Sequence, residues 1–311
     1  IKVVALGATL QIFATGFVPF MRNMNGASVA MIAMMCGFFT NIVLDYLFVF
    51  EIPLKMIGAA LATVIGQAIT LLIAIIFLLT KKIKLCKCKL KEITYLSKDM
   101  LKIALSPFGL TFSPTLTLIL MSKFLLIYGN SNDVAIFGCI DYVLSVIYML
   151  LQGVGDGSQP LISMYYGEND KESLSTVKRK TYVFGEALTI VCIALVFIFR
   201  KQIGILFGAS NEVNNDVIKY IPYFLSSLLF LCYSKISSSY FYATKNAKLS
   251  YLLVYAEPVL VLLMLIILPI FLNILGVWIA IPVAQTIAFV IALIIRIVLV
   301  KKKNVNQKAT I

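Results

Sequence analysis

Nine long apolar runs dominate the sequence, at about residues 3–21, 28–50, 57–80, 103–128, 134–154, 181–199, 217–243, 249–272 and 276–300. Each has the roughly 17–25 residues that a helix needs to cross a hydrocarbon core. None alternates apolar and polar positions as a half-buried strand does. Inside a bilayer the backbone has no water to bond, so runs of this kind must be helices. The expected fold is an all-α polytopic membrane protein with about nine transmembrane helices. Composition agrees: of 311 residues, 61% are hydrophobic and 13% charged, against about 45–50% and 25% in a soluble domain. A soluble enzyme, a disordered chain and a coiled coil are excluded, and too few residues remain for a second folded domain.

The formal net charge of +13 would point to nucleic acid in a soluble protein. Here its placement gives it another meaning. Segment 81–102 holds Lys81, Lys82, Lys84, Lys87, Lys89, Lys91, Lys98 and Lys102. Lys171, Lys178, Arg179 and Lys180 follow the fifth run, Lys245 and Lys248 follow the seventh, and Lys301, Lys302, Lys303 and Lys308 end the chain. If nine spans alternate, all of these and Arg22 fall on one side. Only Lys2, Lys55, Arg200, Lys201 and Lys219 fall on the other. The basic side is cytoplasmic by the positive-inside rule. The expected protein is a multi-pass protein of a cell membrane, of bacterial inner-membrane type, with the bilayer and not nucleic acid as its partner. Ile1 falls outside, which fits a chain whose earlier spans are missing.

Histidine is absent, so imidazole chemistry is excluded. Cys36, Cys139, Cys192 and Cys232 lie in apolar runs and read as small buried thiols. Cys86 and Cys88 form a C-x-C in the Lys-rich segment, and two thiols without further ligands read as reduced cytosolic cysteines. No resident metal or cofactor is expected, and without a nucleophile motif no enzymatic activity.

The chain also resembles itself. Gly58-Ala59-Ala60-Leu61-Ala62-Thr63-Val64-Ile65-Gly66-Gln67 opens the third run, and Gly276-Val277-Trp278-Ile279-Ala280-Ile281-Pro282-Val283-Ala284-Gln285 opens the ninth. Gly58/Gly276, Ala62/Ala280, Gln67/Gln285 and Ala74/Ala292 coincide at one offset. Asn25-Gly26 and Asn246-Ala247 precede the second and eighth runs at an offset three residues larger. Spans one to three therefore read as a copy of spans seven to nine, in the same orientation. Parallel repeats of this kind build alternating-access transporters.

Three ordered stretches carry a family resemblance. Asn41-Ile42-Val43-Leu44-Asp45-Tyr46-Leu47-Phe48-Val49-Phe50, with Gly58 to Thr63, resembles the fifth and sixth helices of multidrug and toxic compound extrusion (MATE) transporters. Gln159-Pro160-Leu161-Ile162-Ser163 with Tyr166-Gly167 is similar to that family's motif after its eighth helix. Gly276-Val277-Trp278 with Ala280, Pro282 and Ala284 resembles the start of its twelfth. The resemblance implies two six-helix lobes, of which this chain carries helices four to twelve and lacks the first three. Residues 1–80 would be the remainder of the N-terminal lobe, 81–102 a basic cytoplasmic linker, 103–300 the C-terminal lobe and 301–311 a cytoplasmic tail. It further implies export of organic, often cationic, compounds by H⁺ or Na⁺ antiport, without a cofactor. The small-molecule substrate and the bilayer are the expected partners, and a monomer the expected state. A lipid-linked oligosaccharide flippase of the same superfamily and a non-transporting fragment are the alternatives. The flippase would want a cationic cavity, whereas acids outnumber bases within these spans.

A polar group inside hydrocarbon is costly and marks a candidate site. Asn41 and Asp45 lie four apart, on one face of the second span. In the resembling family such an Asn and Asp join a Thr, matched here by Thr63, and a first-helix Asp that has no counterpart in this chain, to form a cation-coupling site. Tyr46 stands where the family usually has Pro, which puts the local helix break in question. Asp141, beside Tyr142, is placed to attract a cationic substrate or second cation. Gly153-Val154-Gly155-Asp156-Gly157-Ser158-Gln159-Pro160 reads as an irregular helix end, with Asp156, Gln159 and Pro160 as a hinge. Lys235 and Glu257 lie equally far from the turn near Asn246, about 16 Å deep at 1.5 Å per residue. They are expected to pair, directly or through another polar group, with Pro258 bending the eighth span.

Overall fold

The computed structural model describes residues 2–52, 54–81 and 89–308; Cys86 and Cys88 lie outside them. Among the described residues, nine α-helices follow in order: α1 (Lys2–Asn23), α2 (Ala27–Tyr46), α3 (Lys55–Thr80), α4 (Leu90–Tyr128), α5 (Ser131–Gly167), α6 (Lys171–Leu206), α7 (Asn211–Ala243), α8 (Ala247–Leu272) and α9 (Ile274–Lys308). Among the described residues, eight segments in α2 to α9 are long and apolar enough to cross a membrane. The ninth helix, α1, has 22 residues, about 33 Å at 1.5 Å per residue.

Several helices outrun the apolar segments that announce them. α4 starts at Leu90, well inside the 81–102 segment read as a linker. Its first turns are polar but made of good helix formers, and Lys102 bonds Asp99 at 3.2 Å one turn away. The expected helix end at Gly153–Pro160 is also corrected. α5 runs unbroken to Gly167 through Pro160, as α8 does through Pro258 and Pro269. Hydropathy marks where a helix meets hydrocarbon, not where its hydrogen-bond ladder stops.

Four connections use one device. Asn25, Asn169, Gly208 and Lys245 adopt left-handed φ values of 58°, 58°, 70° and 59°. The next residue's amide reaches back five residues, as in Gly26 N to Met21 O at 2.9 Å and Asn246 N to Phe241 O at 2.8 Å. This is the Schellman closure, which satisfies the last carbonyls of a helix. α6 then begins on Asp170, whose Oδ1 accepts from the Ser173 and Glu172 amides at 3.0 and 3.1 Å. Hydrogen bonds from Ser173, then Glu172, hold the Asp170 carboxyl below its ordinary range. A depressed carboxylate supports the helix at neutral pH and loses that support as pH falls through the lowered value. Acidification should therefore raise amide exchange at Glu172 and Ser173 above its intrinsic change. In Asp170→Asn, which caps without titrating, that excess should vanish; an equal excess in both proteins would refute the assignment.

The chain divides into two compact units between Lys89 and Leu90. In the first, α3 packs along both α1 and α2. Its buried face is Gly58, Ala62, Gly66, Thr70, Ala74 and Phe77. The first five fall at every fourth position, forming the kind of small-residue seam by which membrane helices approach closely. In the second unit α7 is the most buried helix, packed against α4, α5, α6, α8 and α9. Gly276, Ala280, Ala284, Ala288 and Ala292 of α9 are buried at the same spacing. The repeat is thus one seam used twice. The shared Schellman turns refine its gap. From the start of α2, Gly58 is 31 residues on, whereas Gly276 is 29 from the start of α8, so the difference is two residues, not three. The first copy absorbs its extra length in a π-helical turn, Leu47–Glu51, directly after Tyr46. That turn supplies the local break for which Tyr46 left no proline.

Candidate functional site

In the first unit, glycine sets the geometry. A Cβ on Gly66 would lie 2.7 Å from the Gly37 carbonyl oxygen and 3.1 Å from Asn41 Cβ, and one on Gly58 would meet the Phe48 carbonyl at 2.7 Å. α2 and α3 therefore touch backbone to backbone, antiparallel. Asn41 faces Gly66 and Phe48 faces Gly58, a register that sets Asp45 opposite Leu61 and Ala62, next to Thr63 in sequence, whose side chain is exposed. The Thr63 hydroxyl donates to Ala59 O at 3.0 Å, which leaves its lone pairs free to accept. Asn41 Nδ2 and Asp45 Oδ1 are buried and have no hydrogen-bond partner among the described residues. An orphaned carboxylate oxygen in an apolar hairpin is costly. A proton or a small hard cation removes that cost, and carboxylate, amide and hydroxyl oxygens suit either. The residues fit a cation.

A second polar cluster lies within the second unit. Pro114 and Thr117 of α4, Asp141 and Tyr148 of α5, Lys235 of α7, Glu257 of α8 and Gln285 of α9 line a cavity of about 20 Å³, closed by Phe137, Leu144 and Ile281. Gln285, only 3% exposed, ties three helices together. It accepts from Ser227 Oγ at 2.6 Å and donates to the Tyr148 hydroxyl at 3.3 Å. Lys235 and Glu257 line the same cavity, but a direct ion pair between them is corrected. Among the described residues no carboxylate comes within 4.0 Å of Lys235; its ammonium rests over the Tyr148 ring, 5.6 Å from the centroid. Tyr142 does not join this site. It points away from Asp141, is 66% exposed and stacks on Phe207. Tyr148 is the member that sequence reading missed. It lies seven residues after Asp141, two turns along one face, and that spacing was the available signal.

The hinge candidates are held between α5 and the end of α7. Asp156 Oδ1 accepts from Gln152 Nε2 at 3.0 Å and from the Tyr242 hydroxyl at 3.2 Å. Gln159 Nε2 donates to Ser163 Oγ at 3.4 Å, and that hydroxyl donates to the Ala243 carbonyl at 3.2 Å. Pro160 lies inside the continuous helix.

Long apolar helices in a repeated arrangement, with ionisable groups held inside two separate units, define a polytopic membrane protein. Residues 107–267 match the MatE family model, which is half of the chain, and the chain belongs to that family. Among its curated relatives, the multidrug export protein MepA of Staphylococcus saprophyticus is 24% identical over 231 residues, 74% of this chain and 51% of the relative. MepA of Staphylococcus haemolyticus is 23% identical over 294 residues, covering 94% and 65%. The chain thus spans about half to two thirds of the length of these relatives. An outward-facing multidrug resistance MATE family transporter of the MOP superfamily shares the fold with a TM-score of 0.85 at 22% identity, over 94% of this chain and 66% of that one. A MATE structure in the bent conformation gives 0.83 at 22% identity, over 97% and 69%.

Proposed function

We propose that the protein serves in the plasma membrane as a secondary active exporter. It moves organic compounds, cationic or amphiphilic, outward in exchange for H⁺ or Na⁺, with its binding surface exposed alternately to the two sides. The observation that carries this reading is the buried, unpartnered Asp45 carboxyl oxygen one helical turn from the equally unpartnered Asn41 amide. Protonation or cation binding there removes an unpaired polar atom from an apolar helix pair, so occupancy favours one packing of that pair over another. A ligand shifts a conformational equilibrium only through such differential interaction. The relatives' names, multidrug export proteins, supply the substrate class.

Proteoliposomes carrying the protein and loaded with a fluorescent lipophilic cation test it. A proton or sodium gradient directed against substrate flow should drive export, and dissipating that gradient should stop it. Export indifferent to both gradients would overturn the reading. Movement of a polyprenyl-linked sugar in place of the dye would favour the flippase alternative.

A further inference from the structure

We infer that Lys235 is a tethered cation that fills the cation position of the second unit's cavity, so that this cavity exchanges a proton and is closed to sodium. The inference deepens the proposed antiport by naming which ion one of its sites takes. It rests on that reading only for its use in transport, because ion binding is measured separately.

The cavity brings two carboxyls and one ammonium together from three helices, α5, α8 and α7. Lys235 is only 6% exposed, and among the described residues it has no hydrogen-bond acceptor. An unpaired buried ammonium is not retained cheaply. Its neighbours are the Tyr148 ring beneath it and a void of about 20 Å³, room for about one water. The titratable groups facing that void are Asp141 and Tyr148 on α5, Lys235 on α7 and Glu257 on α8. α4 contributes Thr117 and α9 contributes Gln285, neither of which titrates.

With Asp141 and Glu257 ionised and Lys235 charged, the trio carries one net negative charge. One further cation makes it neutral. A sodium ion would have to occupy the void itself, against the ammonium and at the expense of the water-sized space beside it. Like charges at such separation repel strongly where water is scarce. A proton settles on a carboxyl oxygen instead and leaves the void to a bridging water. Gln285 offers sodium no more than one remaining carbonyl lone pair, since its carbonyl already accepts from Ser227 and its amide already donates to Tyr148. Prolines flank the cluster on three helices: Pro114 lines it, Pro258 follows Glu257 and Pro282 follows Ile281. Each removes a ladder hydrogen bond where a change of protonation would be felt.

Trp278 is the protein's single tryptophan. It is fully buried, stacks on Tyr220 of α7 at 4.1 Å, and lies one turn from Ile281 of the cavity wall. Its fluorescence reports on the site. The titration is run with NaCl against KCl at constant ionic strength, in an Asp45→Asn background so that the first unit's carboxylate does not contribute. The parent protein and Lys235→Arg should show no saturable sodium-specific change. Lys235→Ala and Lys235→Met should both acquire one, with sodium affinity raised by about 10- to 1000-fold, the range over which one neighbouring cation shifts the proton affinity of a carboxylate. Adding Asp141→Asn and Glu257→Gln should abolish the acquired response. A sodium-specific response in the parent would overturn the assignment, as would sodium-blind, folded Lys235→Ala and Lys235→Met. Failure of gradient-driven export with this pattern intact would count against the transport reading alone.

Discussion

Replacing Asp45 with Asn is expected to cut gradient-driven export at least roughly tenfold, a loss of about 1.4 kcal/mol or more in the coupled step, while the protein still folds. Asn keeps the volume and most of the hydrogen-bonding capacity of Asp but cannot take up and release a proton, and it brings no charge to a sodium ion. The orphaned Asp45 Oδ1 would be replaced by an amide group beside the equally orphaned Asn41 Nδ2. The conformational bias set by a bound cation then disappears, while the α2–α3 contact, set by Gly37 and Gly66 two turns and one turn away, stays. Asn41→Ala should reduce export less, because it removes a neutral ligand. Thr63→Ala should be milder still, since its exposed hydroxyl already bonds the Ala59 carbonyl. Dye-efflux rates in proteoliposomes under an imposed gradient check the order. Export by Asp45→Asn at the parent rate, with the same ion dependence, would remove this carboxyl from the coupling.

Different parts of this molecule were legible to different degrees, for physical reasons. The spans could be read because the bilayer imposes a length and polarity filter on each helix independently of its neighbours. The repeat could be read because small residues recur every fourth position where backbones touch, and Gly58 to Ala74 and Gly276 to Ala292 keep that spacing. What the sequence hides is the direction each helix face points. In a soluble helix the polar face marks solvent, but α8 is apolar nearly all round, and lipid and neighbouring helices look alike to it. Lys235 and Glu257 could therefore be matched in depth, since depth counts along the chain, while the ring of Tyr148 beneath Lys235 could not be foreseen. Tyr142 and Asp141 are sequence neighbours about 100° apart on a helix, and only packing separates the cavity from the exposed side. The π-helical turn at Leu47–Glu51 was hidden as well, because the offset shows that the two copies differ in length but not where the extra residues are absorbed.

Placing a leucine on the seam should be the most damaging change in the scaffold. Gly66→Leu puts a four-carbon side chain where a single Cβ already comes within 2.7 Å of the Gly37 carbonyl oxygen. That contact is backbone, so no rotamer relieves it, and α2 must move away from α3. The expected loss is about 3 kcal/mol, the upper end of overpacking costs. Separation forfeits close van der Waals contact that lipid does not replace in kind, because apolar burial gives membrane helices little net drive to associate. Gly276→Leu, at the repeat partner of Gly58, should be at least as harmful, since a Cβ there meets the Leu268 carbonyl oxygen and Pro269 nitrogen at 2.5 and 2.6 Å. Gly16→Leu is the control: nothing lies within 4 Å of its Cβ position, and its melting temperature should match the parent's. Thermal unfolding in detergent, followed by monodisperse yield on size exclusion, separates the three. Parent-like melting in Gly66→Leu would mean that α2 and α3 do not need backbone contact. The register that sets Asp45 opposite Leu61 and Ala62 would then lose its physical basis, and the proposed cation site would lose it too.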